Sequence, residues 1–279
     1  MSYQTIMVYV DQSKSAEARI RLAATLALRD NAHLIGIAAT GVSSQIFNTG
    51  SEFLTGSTLT EYLDRLRERA AQELKMFEKV VNEIGVISHE QRMIDDEPSG
   101  GVSLQGRFSD LIVLGQTDLD QSFASVMSDF PEYVVIESGR PVLIVPHSWR
   151  PVEIGKDVLV AWDASIGASR AITNALPFLR HARNVKVAIL NPDKQSNITG
   201  DVPGNDIALY LARHGVRVEV ARRSVSGNIG EAILTLAAET QSDSIVMGCY
   251  GHSRFREIML GGVTHTVLDA MTVPVLMSH

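Results

Sequence analysis

The chain of 279 residues contains an internal repeat, and this repeat limits its possible folds more than any other feature. Leu111–Gly115 reappears as Ser244–Gly248, and Pro141–Ile144 reappears as Pro274–Met277, both at an offset of 133 residues. Repetition over half the length of a chain indicates two tandem copies of one domain. Each copy is long enough to bury its own core.

A second offset locates an insertion in the first copy. Ile6–Ser13 pairs with Val158–Ser165 at 152 residues, so the first copy is 19 residues longer than the second copy between the two matches. The additional residues fall around 41–80, where a Gly/Ser/Thr-rich stretch precedes a charged segment, Thr60–Ile84, with helical spacing. We therefore expect a loop followed by a helix at this point.

Each copy alternates short apolar runs with helical stretches, in an order that begins and ends with a strand. Runs such as Ile6–Val10 and Leu111–Leu114 are almost continuously apolar, which is typical of strands buried on both faces of a parallel sheet. The pattern predicts an α/β fold of two tandem doubly wound domains, residues 1–148 and 152–279, each with a five-stranded, mostly parallel sheet flanked by helices. In such sheets, ligands bind beyond the carboxyl ends of the strands.

Composition narrows the classes of partner. The net charge of −7 and the pI near 5.6 argue against duplex nucleic acid and anionic membranes, since both require a basic surface. A single cysteine, Cys249, excludes an internal disulfide, and the chain starts without a signal-peptide pattern or an apolar run long enough to span a bilayer. We expect a cytoplasmic protein with no nucleic-acid partner and no membrane partner. We also expect no metal site, because the histidines lack the spacing of metal ligands.

A glycine-lined loop follows one strand of the second copy. After Met247 come Gly248 and Gly251, then nine residues, and then Gly261 and the start of a helix at Gly262, Val263 and Thr264. Glycine lets the backbone approach a phosphate closely, and the first N–H groups of a helix attract anions. The spacing is neither a Walker loop nor a dinucleotide fingerprint. The glycines and the helix start predict a site that binds an anion, and we predict no catalytic residue in it.

The spacing Gly248-x-x-Gly251-x9-Gly261 resembles the nucleotide-binding signature of the universal stress protein family. Asp163-x-Ser165 and the closing Val273–Leu276 are also similar to that family, and the resemblance covers nearly the whole chain. It implies a tandem stress-responsive protein that binds ATP or another adenine nucleotide, with or without Mg²⁺, in the second domain only. The residues implied to hold this nucleotide are Asp163 and Leu190 at the ribose and adenine, and Gly248, Gly251, Gly261, Gly262 and Thr264 around the phosphates, together with Met247 and Val263.

One residue departs from the signature. Nucleotide-binding members have Ser or Thr at the position of Gly262, so one hydroxyl contact is lost while the backbone N–H remains. A hydrogen bond to a charged group contributes about 1.5–3 kcal/mol, so the change weakens binding by roughly ten- to a hundredfold.

The first copy departs much further. At the offset of 133, the positions of Gly251, Gly261, Gly262 and Thr264 hold Asp118, Ser128, Asp129 and Pro131. Proline has no N–H, and carboxylates repel a polyphosphate, so this copy is predicted to bind no nucleotide. Asp11 and Ser13 persist there, but these residues, like Asp163, have a second interpretation as caps of the following helix.

Three functions remain open on the residues. The first is a nucleotide sensor that is at most a slow ATPase, because the loop has no lysine and no general base is apparent. The second is a nucleotide-free scaffold that acts through protein partners. The third is a binder of another small anionic or lipid-like metabolite at Ser43–Ser57, where Ile46, Phe47, Phe53 and Leu54 are apolar among small residues.

The last strand of each copy bears on assembly. Val142–Val145 and Val273–Val275 are apolar and are each expected at the edge of a sheet, where unpaired backbone groups favour pairing. We expect the two domains to pair with each other inside one chain, and homodimerisation of the whole chain is compatible with the same pattern.

Overall fold

The computed structural model describes residues 2–41, 56–117, 129–150, 153–192, 202, 204–249 and 262–279. The strands and helices of the first half are β1 (Thr5–Tyr9), α1 (Ala16–Asp30), β2 (His33–Ala39), α2 (Gly56–Ile84), β3 (His89–Ile94), α3 (Pro98–Gly106), β4 (Leu111–Gly115), α4 (Phe130–Ser138) and β5 (Val142–Val145). Those of the second half are β6 (Asp157–Ala161), α5 (Ile166–Leu179), β7 (Asn184–Leu190), α6 (Asn205–Arg213), β8 (Val218–Arg223), α7 (Ile229–Glu239), β9 (Ser244–Gly248), α8 (Val263–Ala270) and β10 (Val275–Ser278).

The chain forms two compact units, Tyr3–Val142 and Leu143–His279. In the first unit the strand order is β3-β2-β1-β4, and in the second it is β10-β9-β6-β7-β8. The pairs β1–β2, β1–β4 and β2–β3 are parallel, as are β6–β7, β6–β9, β7–β8 and β9–β10. The strand order reverses between β1 and β4 and between β6 and β9, so the predicted doubly wound α/β fold is confirmed.

Burial follows the apolar runs of the sequence. The central strands are buried except at their ends, as in β4, where Leu111–Leu114 are all 0% exposed. The edge strands β3 and β8 carry exposed positions instead, because one side of each has no neighbouring strand within its unit. None of the helices in the described residues is both long and apolar enough to cross a membrane.

In both units, an aspartate carboxylate accepts hydrogen bonds from the backbone at the start of a central strand. The Asp110 carboxylate accepts hydrogen bonds from the backbone N–H groups of Gln4 (2.8 Å) and Thr5 (3.0 Å), at the start of β1. The Asp243 carboxylate accepts from the backbone at Gly155 (2.7 Å), Lys156 (2.7 Å) and Asp157 (3.0 Å), at the start of β6. The two aspartates are related by the repeat, so the halves match in side-chain contacts as well as in strand order.

The halves differ most in one helix. Helix α2 has 29 residues, whereas α6, at the same place in the second half, has 9. The predicted helix at Thr60–Ile84 is present and begins earlier, at Gly56. Its extension packs on the first sheet through a buried cluster of Ala38, Ala70 and Leu74. The segment Ser43–Ser57, the alternative metabolite-binding site of the sequence analysis, lies almost wholly outside the described residues.

Candidate functional site

The carboxyl ends of three neighbouring strands bring the predicted site residues of the second unit to one edge. Ala161 of β6 lies opposite Met247 of β9 on one side and opposite Ala188 of β7 on the other. Asp163, Leu190 and Gly248 follow these positions by one or two residues. The structure therefore places Asp163 and Gly248 at the point where the strand order reverses, which is where ligands of doubly wound sheets bind, and Leu190 at the end of the next strand, β7.

The turn after β6 presents a carboxylate. The Ser165 backbone N–H donates to Asp163 Oδ1 (3.0 Å), and Ala164 takes up a left-handed conformation with φ of 61°. Ser165 is the cap of α5, because its hydroxyl oxygen accepts from the Ala168 N–H (3.1 Å). The interpretation of Asp163 as the helix cap is therefore wrong. Its side chain is exposed and directed by a local turn.

Gly248 is needed for packing. A Cβ atom at this position would overlap backbone atoms of Gly167 and Ala168 in the first turn of α5. Directly after it, Cys249 is 2% exposed, and its backbone N–H donates to the Ser278 carbonyl oxygen (3.0 Å). Cys249 is thus a free, buried thiol. The glycine at 248 has a structural reason that holds with or without a ligand.

The far side of the edge is formed by the turns after β7 and β8. Leu190 is 8% exposed at the end of β7, and Asn191 follows with φ of 54°. The Asn191 side-chain oxygen accepts from the Val225 N–H (2.7 Å), and its backbone N–H donates to the Arg223 carbonyl oxygen (2.8 Å). These bonds tie the two turns together and fix the place of Leu190.

The start of α8 supplies the predicted anion-binding groups. Gly262 precedes the helix with φ of −56° and ψ of 166°, a conformation open to any residue, and its carbonyl oxygen accepts from the Thr266 N–H (3.1 Å). Within the described residues no side chain caps this helix. Gly262 and Val263 are half-buried, whereas Thr264 is 2% exposed. Gly251 and Gly261 lie outside the described residues.

The same edge of the first unit is built differently. Arg19 of α1 is buried, with its side chain 1% exposed; its Nε donates to the Tyr9 carbonyl oxygen (2.9 Å), and its Nη2 lies 2.9 Å from Asp11 Oδ1. The backbone N–H and the hydroxyl of Ser13 both donate to that carboxylate oxygen. Asp11 is consequently an ion-pair partner, and its interpretation as a helix cap is wrong.

The charged groups at this edge shift one another's pKa values. Burial alone would raise the pKa of Asp11, but the Arg19 guanidinium and the Ser13 hydrogen bonds hold this pKa below its usual value. Burial raises the pKa of Glu73, on α2, to about 8; Asp11 adds to the rise, whereas Arg69 opposes it. Arg69 donates to the Thr40 carbonyl oxygen (3.2 Å) and lies 3.8 Å from the Glu73 carboxylate.

The start of α4 has one donor fewer than the start of α8. Pro131 lies in the first turn of this helix and is buried, and Asp129 precedes it. Because proline has no N–H, one donor of the first turn is missing. Asp118 and Ser128 lie outside the described residues.

Sequence reasoning missed Arg19 and Glu73. The helical spacing of Thr60–Ile84 gives no sign that a charged residue of this segment, Arg69, reaches the Thr40 carbonyl oxygen. Comparison of the copies contains a signal for Arg19, since the offset of 152 aligns it with Ala171, a core residue of α5 that is 0% exposed. Across the part of the chain that the structure describes, no group of three or more His, Cys, Asp or Glu residues is placed to hold a metal ion.

Comparisons with known proteins agree with this architecture. Residues 155–279 match the model of the universal stress protein family. Over 182 residues the chain is 26% identical to the universal stress protein Slr1230 of Synechocystis, an alignment that covers 62% of this chain and 58% of that protein. The chain thus spans less than two thirds of the length of this relative.

Two solved structures show the same fold over the whole chain. A universal stress protein from Archaeoglobus fulgidus has a TM-score of 0.74 and 17% identity, covering 98% of this chain and 94% of its own. A putative universal stress protein from Pseudomonas aeruginosa has a TM-score of 0.57 and 16% identity, covering 98% and 92%. At these identities the likeness concerns the fold.

Proposed function

We propose that the second domain, residues 152–279, binds an adenine nucleotide such as ATP, since residues 155–279 match the universal stress protein family. The first domain, residues 1–148, binds none. One nucleotide per chain then reports on the cellular state, and the protein acts as a stress-responsive sensor in the cytoplasm.

The observation that carries the proposal is the grouping of Asp163, Gly248 and the start of α8 at the carboxyl edge of the second sheet. An exposed carboxylate at Asp163 is suited to accept hydrogen bonds from ribose hydroxyls. The backbone N–H groups at Val263 and Thr264 lie at the positive end of the helix dipole, which favours phosphate. Leu190 offers apolar surface for a base.

Binding without fast turnover fits these groups best. The loop has no lysine to neutralise charge on a transferred phosphoryl group. Any hydrolysis is therefore expected to be slow, with Mg²⁺ arriving bound to the nucleotide rather than held in a protein site.

The experiment is a calorimetric titration of the whole chain with ATP, with and without Mg²⁺. The parent is compared with Gly251→Asp, which places a carboxylate against phosphate as Asp118 does in the first copy, and with the mirror variant Asp118→Gly. We expect one site in the parent, none in Gly251→Asp, and still one in Asp118→Gly because Pro131 and Asp129 remain. Two equal sites in the parent, or undiminished binding by Gly251→Asp, would contradict the proposal.

A second reading is a scaffold that binds no nucleotide and acts through its surface. The packing of Gly248 on Gly167 and Ala168 favours it, because this part of the glycine pattern is required by the fold alone. The absence of any adenine-nucleotide binding at millimolar concentration would select this function. Mass spectrometry of the heat-released supernatant gives an independent check of what the purified protein carries.

A further inference from the structure

We propose that Arg19 decides which half of the chain takes a ligand, because its guanidinium closes the ligand face of the first unit from the inside. The inference deepens the proposed function and rests on it for the identity of the ligand. It goes beyond the loop residues: with Arg19 in place, the first unit stays closed even when its loop is given the second loop's residues.

The guanidinium occupies the point where the strand order of the first sheet reverses. It is held by the Tyr9 carbonyl oxygen at the end of β1 and by the Asp11 carboxylate, each at 2.9 Å. On its other side it lies against Gly115 at the end of β4, so closely that a Cβ atom there would overlap it. Gly115 is the counterpart of Gly248 in the repeat. Arg19 thus fills the space between the two strand ends that a ligand would bridge.

At the equivalent place in the second unit, Gly248 lies against the backbone of Gly167 and Ala168, and no charged side chain occupies it in the described residues. The residue matching Arg19 is Ala171, which ends within the core. The carboxylate matching Asp11 is Asp163, which is exposed and, in the described residues, accepts only from the Ser165 N–H. The corresponding carboxylate is therefore neutralised by an arginine in one half and open to solvent in the other.

Helix α2 completes the closure. Its extension places Arg69 on the Thr40 carbonyl oxygen and buries Glu73, which is 7% exposed, close enough to Asp11 and Arg19 for their charges to act on it. A bound nucleotide would have to break the Arg19–Asp11 pair and leave a buried charge without its partner, which is strongly unfavourable.

The experiment uses the full chain with Gly251→Asp as background, so that binding by the first unit is seen alone. This background receives four changes that copy the second loop: Asp118→Gly, Ser128→Gly, Asp129→Gly and Pro131→Thr. In this graft, Arg19 is retained, changed to Gln or changed to Ala. Gln is included because it keeps a donor for Asp11 if the Ala variant does not fold. The control is Arg21→Ala, an exposed arginine on the same helix that pairs with Glu17 and Glu83.

We expect the loop graft alone, and the graft with Arg21→Ala, to bind no ATP. The graft with Arg19→Gln or Arg19→Ala should gain one site, with a dissociation constant at least about tenfold below the weakest that the titration detects. Binding by the graft with Arg19 intact would overturn the inference, and so would a lack of binding by both Arg19 variants.

A second readout needs no nucleotide and separates the two proposals. Arg19→Ala alone should have a lowered melting temperature. Millimolar methylguanidinium should raise this temperature more than the same concentration of sodium chloride does. The melting temperatures of the parent and of Arg21→Ala should not respond to methylguanidinium. If the parent binds no ATP, the proposed function fails, and this rescue alone decides whether Arg19 fills the space. No rescue in that case rejects the inference as well.

Discussion

Gly248 lies against Ala168 so closely that β9 leaves the second sheet in backbone contact with the first turn of α5. Gly248→Ala should therefore lower the free energy of unfolding by about 1–3 kcal/mol, the usual cost of overpacking, whether or not nucleotide is present. Urea denaturation measures this change. Gly100→Ala is the matched control, because its Cβ would meet only the Glu97 carboxylate, at 3.8 Å, and alanine favours helix. An unchanged stability of Gly248→Ala would show that β9 and α5 can separate.

Gly262 offers the opposite case, because its backbone suits any residue. Gly262→Ser should leave the fold intact, add a few tenths of a kcal/mol through a better helix cap, and tighten ATP binding about ten- to a hundredfold. Calorimetric titration compares it with Gly262→Ala, which changes the backbone entropy without adding a hydroxyl. Equal affinities for the Ser and Ala variants would mean that this position does not contact the phosphates.

Glu73 makes the stability of the first unit depend on pH. Its pKa in the folded chain, about 8, lies above its ordinary value of 4.5, so its contribution is fully present below pH 4.5 and is lost as the pH rises to 8. Each unit of this difference is worth about 1.4 kcal/mol. Glu73→Gln removes the dependence, so its stability relative to the parent should increase between pH 4.5 and 8 and level off above.

Denaturation of the parent and Glu73→Gln at a series of pH values measures this difference directly. Glu68→Gln serves as the control, because Glu68 lies on the same helix and is exposed. A constant difference across the pH range would show that Glu73 is ionised throughout in the folded chain.

Asp243 holds the entry to β6 through three backbone N–H groups. Asp243→Ala leaves them without this acceptor and should lower the free energy of unfolding by about 1–3 kcal/mol, whereas Asp243→Asn, which keeps one acceptor oxygen, should lower it less. Asp110→Ala should do the same in the first unit. Thermal or urea unfolding of the three variants tests the prediction, and a harmless Asp243→Ala would contradict it.

The sequence predicts the parts of this molecule that depend on periodicity. The offsets of 133 and 152 residues identified the two copies of the fold, and the apolar runs located the buried strands correctly. What periodicity could not predict is a charged side chain that is buried because it meets a partner from another element. Arg19 stands in an amphipathic helix like any solvated arginine, and only the fold brings Asp11 and Tyr9 to it.

The paired aspartates at the strand entries bear on how a duplicated domain diverges. Asp110 and Asp243 act on backbone amides, which every sequence with this fold must satisfy, so each copy has kept its own. Asp11 and Asp163 instead bind the side chain or solute that lies opposite them, and here the two copies differ. The Asp11 carboxylate pairs with a buried arginine, whereas the Asp163 carboxylate is exposed. Under the proposed function, the first half therefore keeps the strand-entry aspartate of the shared fold, while its strand-end carboxylate is paired with an arginine instead of a ligand.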